Sequence, residues 1–170
     1  MIFVSMNIVK KQSVSFADYS AVNGFKNLEN LDSQHDVFKE LFNLLSTLSK
    51  QGYTTFLSGL DEGFDLLAAE AVLRLRRSQQ SIELVAVVPF QGQELSYSQA
   101  NRVRYNSLFQ NADRAIFTSE HYSEDAYFIK DDFLLTNSAY VVCYFDDLKS
   151  NLTKHAYNRA SEKGASILHL

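Results

Sequence analysis

The residues best suited to bind a small molecule lie in one loop, Ser58–Asp65, of sequence SGLDEGFD. Gly59 and Gly63 permit backbone conformations, and a close approach of a ligand, that a Cβ would block. The loop leads from a predicted strand into a predicted helix, and free N–H groups at a helix N-terminus can bind a phosphate. The glycine spacing is not G-x-G-x-x-G, so the loop predicts a phosphate or ribose site without being the dinucleotide-binding fingerprint.

The same loop carries carboxylates at Asp61, Glu62 and Asp65. Carboxylates at this place can cap the following helix, accept hydrogen bonds from ribose hydroxyls, or bind a cation. The spacing does not choose among these interpretations. Helix capping is the plain structural alternative for Asp65.

A second polar loop, Pro89–Tyr97, follows a strand that is apolar on both faces. Gln93 offers both a donor and an acceptor, as reading a base edge or a ribose requires. Phe90 and Tyr97 have the shape to stack on a base. Packing of the two rings beneath the loop is an equally good interpretation.

A third loop, Asp146–Thr153, also leads from a strand to a helix. Lys149 in this loop is available to an anion, and Thr153 or Asn151 can cap the helix. An ordinary capped turn is the favoured interpretation here.

Short apolar runs alternate with helical patterns along the chain, which indicates strands joined by helices. The predicted strands are Ser13–Phe16 (with Ile2–Val9 as an alternative), Thr54–Leu57, Ile82–Val88, Arg114–Thr118, Tyr140–Phe145 and Ser166–Leu168. The predicted helices run from an N-cap at Ser33 to Gly52, and over Leu66–Arg77, Gln99–Asn111, Ala126–Thr136 and Thr153–Lys163. Strands that are apolar on both faces are typical of buried parallel sheets. We predict a single domain over residues 1–170, a three-layer, doubly wound α/β fold with a mainly parallel sheet. Its ligand site should lie beyond the carboxyl ends of the strands.

Composition excludes several classes of function. The chain has 170 residues, 16 basic and 20 acidic side chains and a formal net charge of −4, which argues against nucleic-acid binding. The only cysteine, Cys143, excludes an intrachain disulfide and a multi-thiolate zinc site. No H-E-x-x-H pair, Walker A loop or G-x-S-x-G elbow is present, so we predict neither a metal site nor a cofactor. No apolar stretch has the roughly 20 residues of a membrane span, so a cytoplasmic protein is expected.

Taken in order, these loops resemble the YpsA-like family of the SLOG (SMF/DprA–LOG) superfamily, whose members have Rossmann-like nucleotide-ligand folds. The resemblance covers about residues 54–168. It depends first on Ser58–Glu70 (SGLDEGFDLLAAE), which is similar to the family's serine–glycine loop and its Gly-x-Asp-x-x-Ala-Ala-Glu helix start. Further matching positions are Pro89–Gln93, Arg104-Tyr105, Ala112-Asp113, Tyr127 and Asn137-Ser138.

The resemblance implies a Rossmann-like fold with a pocket for a nucleotide or a nucleotide-derived small molecule. The residues that it implies for this pocket are Ser58, Gly59, Gly63, Asp65, Glu70, Pro89, Gln93 and Thr153.

The chain departs from the family's pattern at two phosphate-cradling motifs. Phe16–Ser20 stands where the family has Thr-Gly-His/Tyr-Arg, so the glycine and the arginine are missing. Ser150–Thr153 replaces Gly-Gly-Thr, and Lys130-Asp131 replaces Arg-Asn. The catalytic glutamate of the LOG phosphoribohydrolases falls on Ala156, which leaves no carboxylate there for N-glycosidic cleavage.

These observations favour a binding module for a nucleotide-derived small molecule, acting as a sensor or regulatory protein. The first alternative is a diverged member with a degenerate pocket that acts through protein partners. A nucleotide N-glycosidase resembling the phosphoribohydrolases, with Asp65 and Glu70 as its carboxylates, is less favoured. Whether the chain is an enzyme stays open. Nine tyrosines and thirteen phenylalanines are compatible with a homo-oligomer interface.

Overall fold

The computed structural model describes residues 7–18, 36–144 and 151–170, with the backbone alone at 151–153. Several sequence-based expectations therefore fall outside the described residues. These are the N-cap at Ser33, the motif positions Tyr19 and Ser20, Lys149 in the third loop, the Thr153 side chain and most of the alternative strand at Ile2–Val9. The first strand is the one predicted at Ser13, and it continues to Asp18.

Strands and helices alternate along the described chain, as the hydrophobic pattern predicts. The strands are β1 (Ser13–Asp18), β2 (Thr55–Ser58), β3 (Glu83–Val88), β4 (Arg114–Phe117), β5 (Tyr140–Tyr144) and β6 (Ser166–His169). The helices are α1 (Asp36–Lys50), α2 (Phe64–Arg76), α3 (Gln99–Asn111), α4 (Ala126–Thr136) and α5 (Asn151–Glu162). The predicted bounds of α3 and α4 are confirmed to the residue. The predicted start of α2 at Leu66 is wrong by two residues, because the helix begins directly after Gly63.

All six strands are parallel, in the order β4-β3-β2-β1-β5-β6. The chain builds one half of the sheet outward from β1 to β4, and then crosses back to place β5 on the other side of β1. The order therefore reverses between β1 and β5, which is the topological switch point of a doubly wound sheet. The predicted three-layer, Rossmann-like α/β fold is confirmed.

The two faces of the sheet have separate apolar cores, because successive side chains of a strand point to opposite faces. Phe56, Leu84 and Val88 belong to the larger core, which they share with α1, α2 and α3. Leu57 and Val85 point to the opposite face and pack beneath α4. This arrangement makes the sheet the middle layer, with α2 packed on one face and α4 on the other.

Local signals account for two of the helix ends. Gly52 ends α1 with a φ of +97°, a conformation that favours glycine, and the Tyr53 N–H donates to the Leu48 carbonyl at 3.1 Å. Ser98 begins α3, and its Oγ accepts from the Asn101 N–H at 3.3 Å.

Over the residues that the structure describes, none of the helices combines the length with the apolar composition that crossing a bilayer requires.

Candidate functional site

A cavity of about 210 Å³ lies at the switch point, between β1, β5, α4 and the loop that joins β2 to α2. Its polar lining comes from three separate parts of the chain. These polar residues are Ser15 and Asp18 of β1, Asp61, Glu62 and Asp65 of the loop and the start of α2, and Tyr127, Lys130 and Asp131 of α4. Apolar residues of β1, β5 and α4 close the remaining wall. The position agrees with the site expected from the strand pattern.

The Ser58–Asp65 loop is held by its own side chains. Asp65 lies in the first turn of α2, but its side chain points back, and its Oδ2 accepts from the Gly59 N–H at 3.1 Å. The Ser58 Oγ accepts from the Leu60 N–H at 3.2 Å and donates to the Asp65 carbonyl at 3.1 Å. Two backbone amides of the predicted phosphate site are thus already bonded within the loop.

Lys130 is the cation of the cavity lining, and its side chain is only 2% exposed. Its Nζ donates to Asp61 Oδ2, lies 3.3 Å from Asp131 Oδ1, and lies 5.4 Å from the centre of the Tyr127 ring. Burial lowers the pKa of Lys130, but the neighbouring carboxylates outweigh burial and leave this pKa above its ordinary value. The lysine is therefore charged, and unsuited to act as an amine nucleophile at neutral pH.

The Asp65 carboxyl is buried, and its side chain faces other acidic groups. Burial raises the pKa of Asp65 well above its ordinary value, and the charge of Asp61 raises this pKa further. The Lys130 ammonium acts in the opposite direction without cancelling these effects. The neutral form of this carboxyl is therefore favoured over a wider pH range than for an exposed aspartate, and in that form it can donate a hydrogen bond as well as accept one.

Ser15 contributes a buried hydroxyl that has no hydrogen-bond partner among the described residues. Its side chain lines the cavity from the middle of β1. Buried hydroxyls are normally hydrogen-bonded, and an exception calls for an explanation. A polar group of a ligand in the cavity would supply the missing partner.

The neighbouring Pro89–Tyr97 loop supports the Ser58–Asp65 loop from outside the cavity. The Gln93 Nε2 donates to the Gly59 carbonyl at 2.9 Å, and the Tyr97 hydroxyl donates to the Leu60 carbonyl at 3.0 Å. Leu60 has a φ of +53°, a conformation uncommon for a residue other than glycine. These two contacts hold that backbone in place, and such strain is often found next to functional sites.

Space around Gly59 is also restricted by the site. A Cβ at this position would lie 2.9 Å from Asp65 Oδ2 and 3.1 Å from Lys130 Nζ. A side chain at this position would therefore have to displace the Asp65 carboxyl or the Lys130 ammonium from the loop.

The predicted site residues divide into those gathered at the loop and those elsewhere. Of the eight, Asp65 lines the cavity itself; Ser58, Gly59, Gly63 and Gln93 build or support its loop. Pro89 is buried at the end of β3, where its carbonyl accepts from the Ser119 N–H at 2.8 Å. The backbone of Thr153 lies in the first turn of α5.

Glu70 lies outside this cavity. Its carboxylate accepts from the Arg104 guanidinium at 2.7 and 3.0 Å, in a groove between α1, α2 and α3. The ion pair joins α2 to α3. The resemblance implies a contact of Glu70 with the cavity, but in the structure Glu70 contacts Arg104 instead.

The aromatic residues of the second loop have protein partners. Tyr97 packs edge-to-face on Tyr105, and Phe90 packs edge-to-face on Tyr122 and Tyr127, with ring centres 5.4 to 5.9 Å apart. Packing around the loop thus accounts for both rings, while Tyr127 also lines the cavity.

Sequence reasoning missed Lys130 and Ser15 as site residues. A lysine within a helical pattern is expected to be exposed, and a serine within a strand belongs to no recognisable binding motif. The one available signal for Lys130 was its place where the similar family has Arg-Asn. Within the described ranges, no group of three or more His, Cys, Asp or Glu side chains is placed to hold a metal ion.

A protein-family model, YpsA, described as the YspA SLOG family, matches residues 21–167. The chain is 25% identical over 152 residues to a UPF0398 protein of Bacillus cereus (strain G9842), covering 85% of this chain and 83% of the relative. It is 30% identical over 138 residues to a UPF0398 protein of Staphylococcus epidermidis, covering 74% and 71%. A UPF0398 protein of Listeria welshimeri is 26% identical over 148 residues, covering 82% and 81%. With a matching model over most of its length and the switch-point loop in place, the chain belongs to the YpsA family of SLOG proteins.

Proposed function

We propose that the protein binds a nucleotide-derived small molecule in the switch-point cavity and acts as a sensor or regulatory module. The single observation that carries the proposal is the buried Ser15 side chain, which lines this cavity and whose hydroxyl has no hydrogen-bond partner in the described part of the chain.

The position of the cavity supports the same function. In open α/β sheets, ligands bind beyond the carboxyl ends of the strands at the switch point, and nucleotides are the commonest of them. Tyr127 offers an aromatic face, and the carboxylates of Asp18 and Asp61 offer acceptors for ribose hydroxyls or base amino groups.

A second candidate function is action through protein partners with a degenerate pocket. The observation in its favour is the internal bonding of the Gly59 and Leu60 N–H groups, which removes two expected phosphate donors. N-glycosidic cleavage has less support, because Glu70 is paired with Arg104 and the α5 position aligned with the catalytic glutamate is a buried alanine, Ala156.

The test is native mass spectrometry of the freshly purified protein, with identification of any molecule released on denaturation. Thermal melting with nucleosides, nucleoside monophosphates and nucleotide sugars at millimolar concentration follows. We expect a bound or stabilising nucleotide derivative whose effect on the melting temperature is lost in Asp61→Asn. Glu120→Gln, at an exposed residue that does not line the cavity, is the matched control.

Small-molecule binding would be contradicted if the purified protein carries no small molecule and no compound of the panel changes its melting temperature. The partner-binding candidate would then take its place.

A further inference from the structure

We propose that the cavity takes the nucleoside end of its ligand, through the ribose hydroxyls, and leaves the phosphates outside. This inference rests on the proposed function and specifies which part of the ligand is recognised. It reverses the simplest expectation from a glycine-containing loop at a helix N-terminus, which is a phosphate site.

The charge of the lining argues against a phosphate. Five acidic side chains and one basic side chain line the cavity among the described residues. The one cation, Lys130, is already in contact with Asp61 and Asp131, so it has no unsatisfied charge to offer. Even with a proton on Asp65, the remaining acidic side chains outnumber the one ammonium, so an entering phosphate would meet a net negative lining in a partly desolvated space, where like charges repel.

The backbone donors that bind phosphates elsewhere are also occupied here. The Gly59 N–H donates to the Asp65 carboxyl, and the Leu60 N–H donates to the Ser58 hydroxyl. A phosphate would have to break both hydrogen bonds, and it would leave the buried Asp65 oxygen without its donor. The loop is thus built to hold a carboxyl of its own in the place of an anionic ligand.

The cavity lining presents hydrogen-bond acceptors to a ligand. The carboxylate of Asp61 is 37% exposed, so it retains lone pairs for a ligand beside its contact with Lys130. The Ser15 hydroxyl can donate or accept, and none of the described residues is its hydrogen-bond partner. A ribose diol presents two adjacent hydroxyls, each a donor and an acceptor, which match the chemistry of these two groups without adding charge.

The size of the cavity agrees with entry of one part of the ligand. Its volume is about 210 Å³, whereas pockets that enclose a whole ligand measure roughly 300–1,000 Å³. One moiety of a nucleotide derivative fits inside, and the remainder lies at the opening.

Isothermal titration calorimetry with three derivatives of each base shows whether the ribose hydroxyls or the phosphate contribute to affinity. The probes are the four ribonucleosides, their 5′-monophosphates and their 2′,3′-dideoxynucleosides. For the base that binds, we expect the monophosphate and the ribonucleoside to differ by less than about threefold in Kd. We expect the dideoxynucleoside to bind at least about tenfold more weakly, since one good hydrogen bond contributes about that factor.

The matched variants are Ser15→Ala and Ser138→Ala. Both serines are buried with an unpartnered hydroxyl, but only Ser15 lines the cavity. Ser15→Ala should weaken ribonucleoside binding about fivefold or more and leave dideoxynucleoside binding unchanged. Ser138→Ala should change neither.

Two results would overturn the inference in different ways. If a monophosphate binds but its nucleoside does not, the phosphate is the recognised end, and the proposed function survives without the inference. If none of the probes binds, the proposed function fails and the inference fails with it.

Discussion

At the scale of single residues, the protonation of the buried acidic side chains is the main property of the candidate site. Asp65 is 3% exposed, and it feels the charges of both Asp61 and Lys130. Burial favours the neutral carboxyl, and the lysine favours the ionised one. The balance between them makes the stability of the fold depend on pH.

Asp65→Asn should remove this pH dependence. The folded protein holds the Asp65 proton at a pH where the unfolded chain, with a pKa of 3.8, has lost it. Because the folded state then binds more protons, the stability contributed by this group is complete below about pH 4 and decreases as the pH rises. Asp65→Asn should therefore be more stable than the natural protein at pH 8, and this difference in the free energy of unfolding should shrink toward pH 4.

Urea unfolding at intervals from pH 4 to pH 8 measures this difference. Asp36→Asn is the control, because Asp36 is 91% exposed on the first turn of α1. A difference between Asp65→Asn and the natural protein that stays constant over the whole pH range would contradict a raised pKa at Asp65.

Lys130→Met should destabilise the fold by removing the cation from its carboxylates. Fully buried pairs cost about 3–5 kcal/mol when one partner is removed. Since the Asp61 side chain is 37% exposed, water screens part of the loss, and we expect about 2 kcal/mol. The double variant Lys130→Met/Asp61→Asn should recover part of it in urea unfolding. Additive losses in the double variant would show that the two side chains are not coupled.

At the scale of elements, α2 connects two sites with different chemistry. Its N-terminal turn carries Asp65 into the switch-point cavity, and one to two turns later Glu70 points to α3 and pairs with Arg104. Because α2 has contacts at both places, it holds the Ser58–Asp65 loop in position at its N-terminus.

Glu70→Gln separates the role implied by family resemblance from the one that the contacts support. The ion pair is bidentate and partly exposed, so its loss should lower the free energy of unfolding by about 1 kcal/mol. Affinity for a ligand should stay within about twofold, because Glu70 lies outside the cavity. Glu83→Gln breaks a similar pair with Arg114 between β3 and β4 and is the control for stability. A tenfold loss of affinity in Glu70→Gln alone would restore the pocket role.

The elements were largely predictable because their signals are local. Ser98 caps α3 and Gly52 closes α1, and each acts within a few residues of its own position. The Ser58–Asp65 loop was found for the same reason, through its glycines and acidic residues. The function of its carboxylates was not predictable, because the partner of Asp61 is Lys130, 69 positions away. The plain interpretation of Asp65 was helix capping. In the structure its carboxyl instead accepts from the Gly59 N–H, a contact that exists only once the loop has folded.

At the scale of the whole molecule, the acidic net charge of −4 sets which partners approach readily. Single-stranded oligonucleotides should show no change in fluorescence anisotropy with up to about 100 µM protein at physiological salt, since sequence-independent binding needs a basic surface. The same titration in low salt is the control for weak charge-driven contacts. A steep dependence of affinity on salt would contradict this expectation.

The strand order also bears on the time at which the site forms during synthesis. β1 to β4 pair with their neighbours in chain order, so this half of the sheet can assemble as each strand leaves the ribosome. The lysine that neutralises Asp61 follows on α4, and β5, which forms the remaining wall, is made later still. A nascent chain therefore carries the acidic loop without its counter-charge through much of its synthesis. The complete cavity therefore forms only in the final stage, when α4 and β5 have joined the sheet.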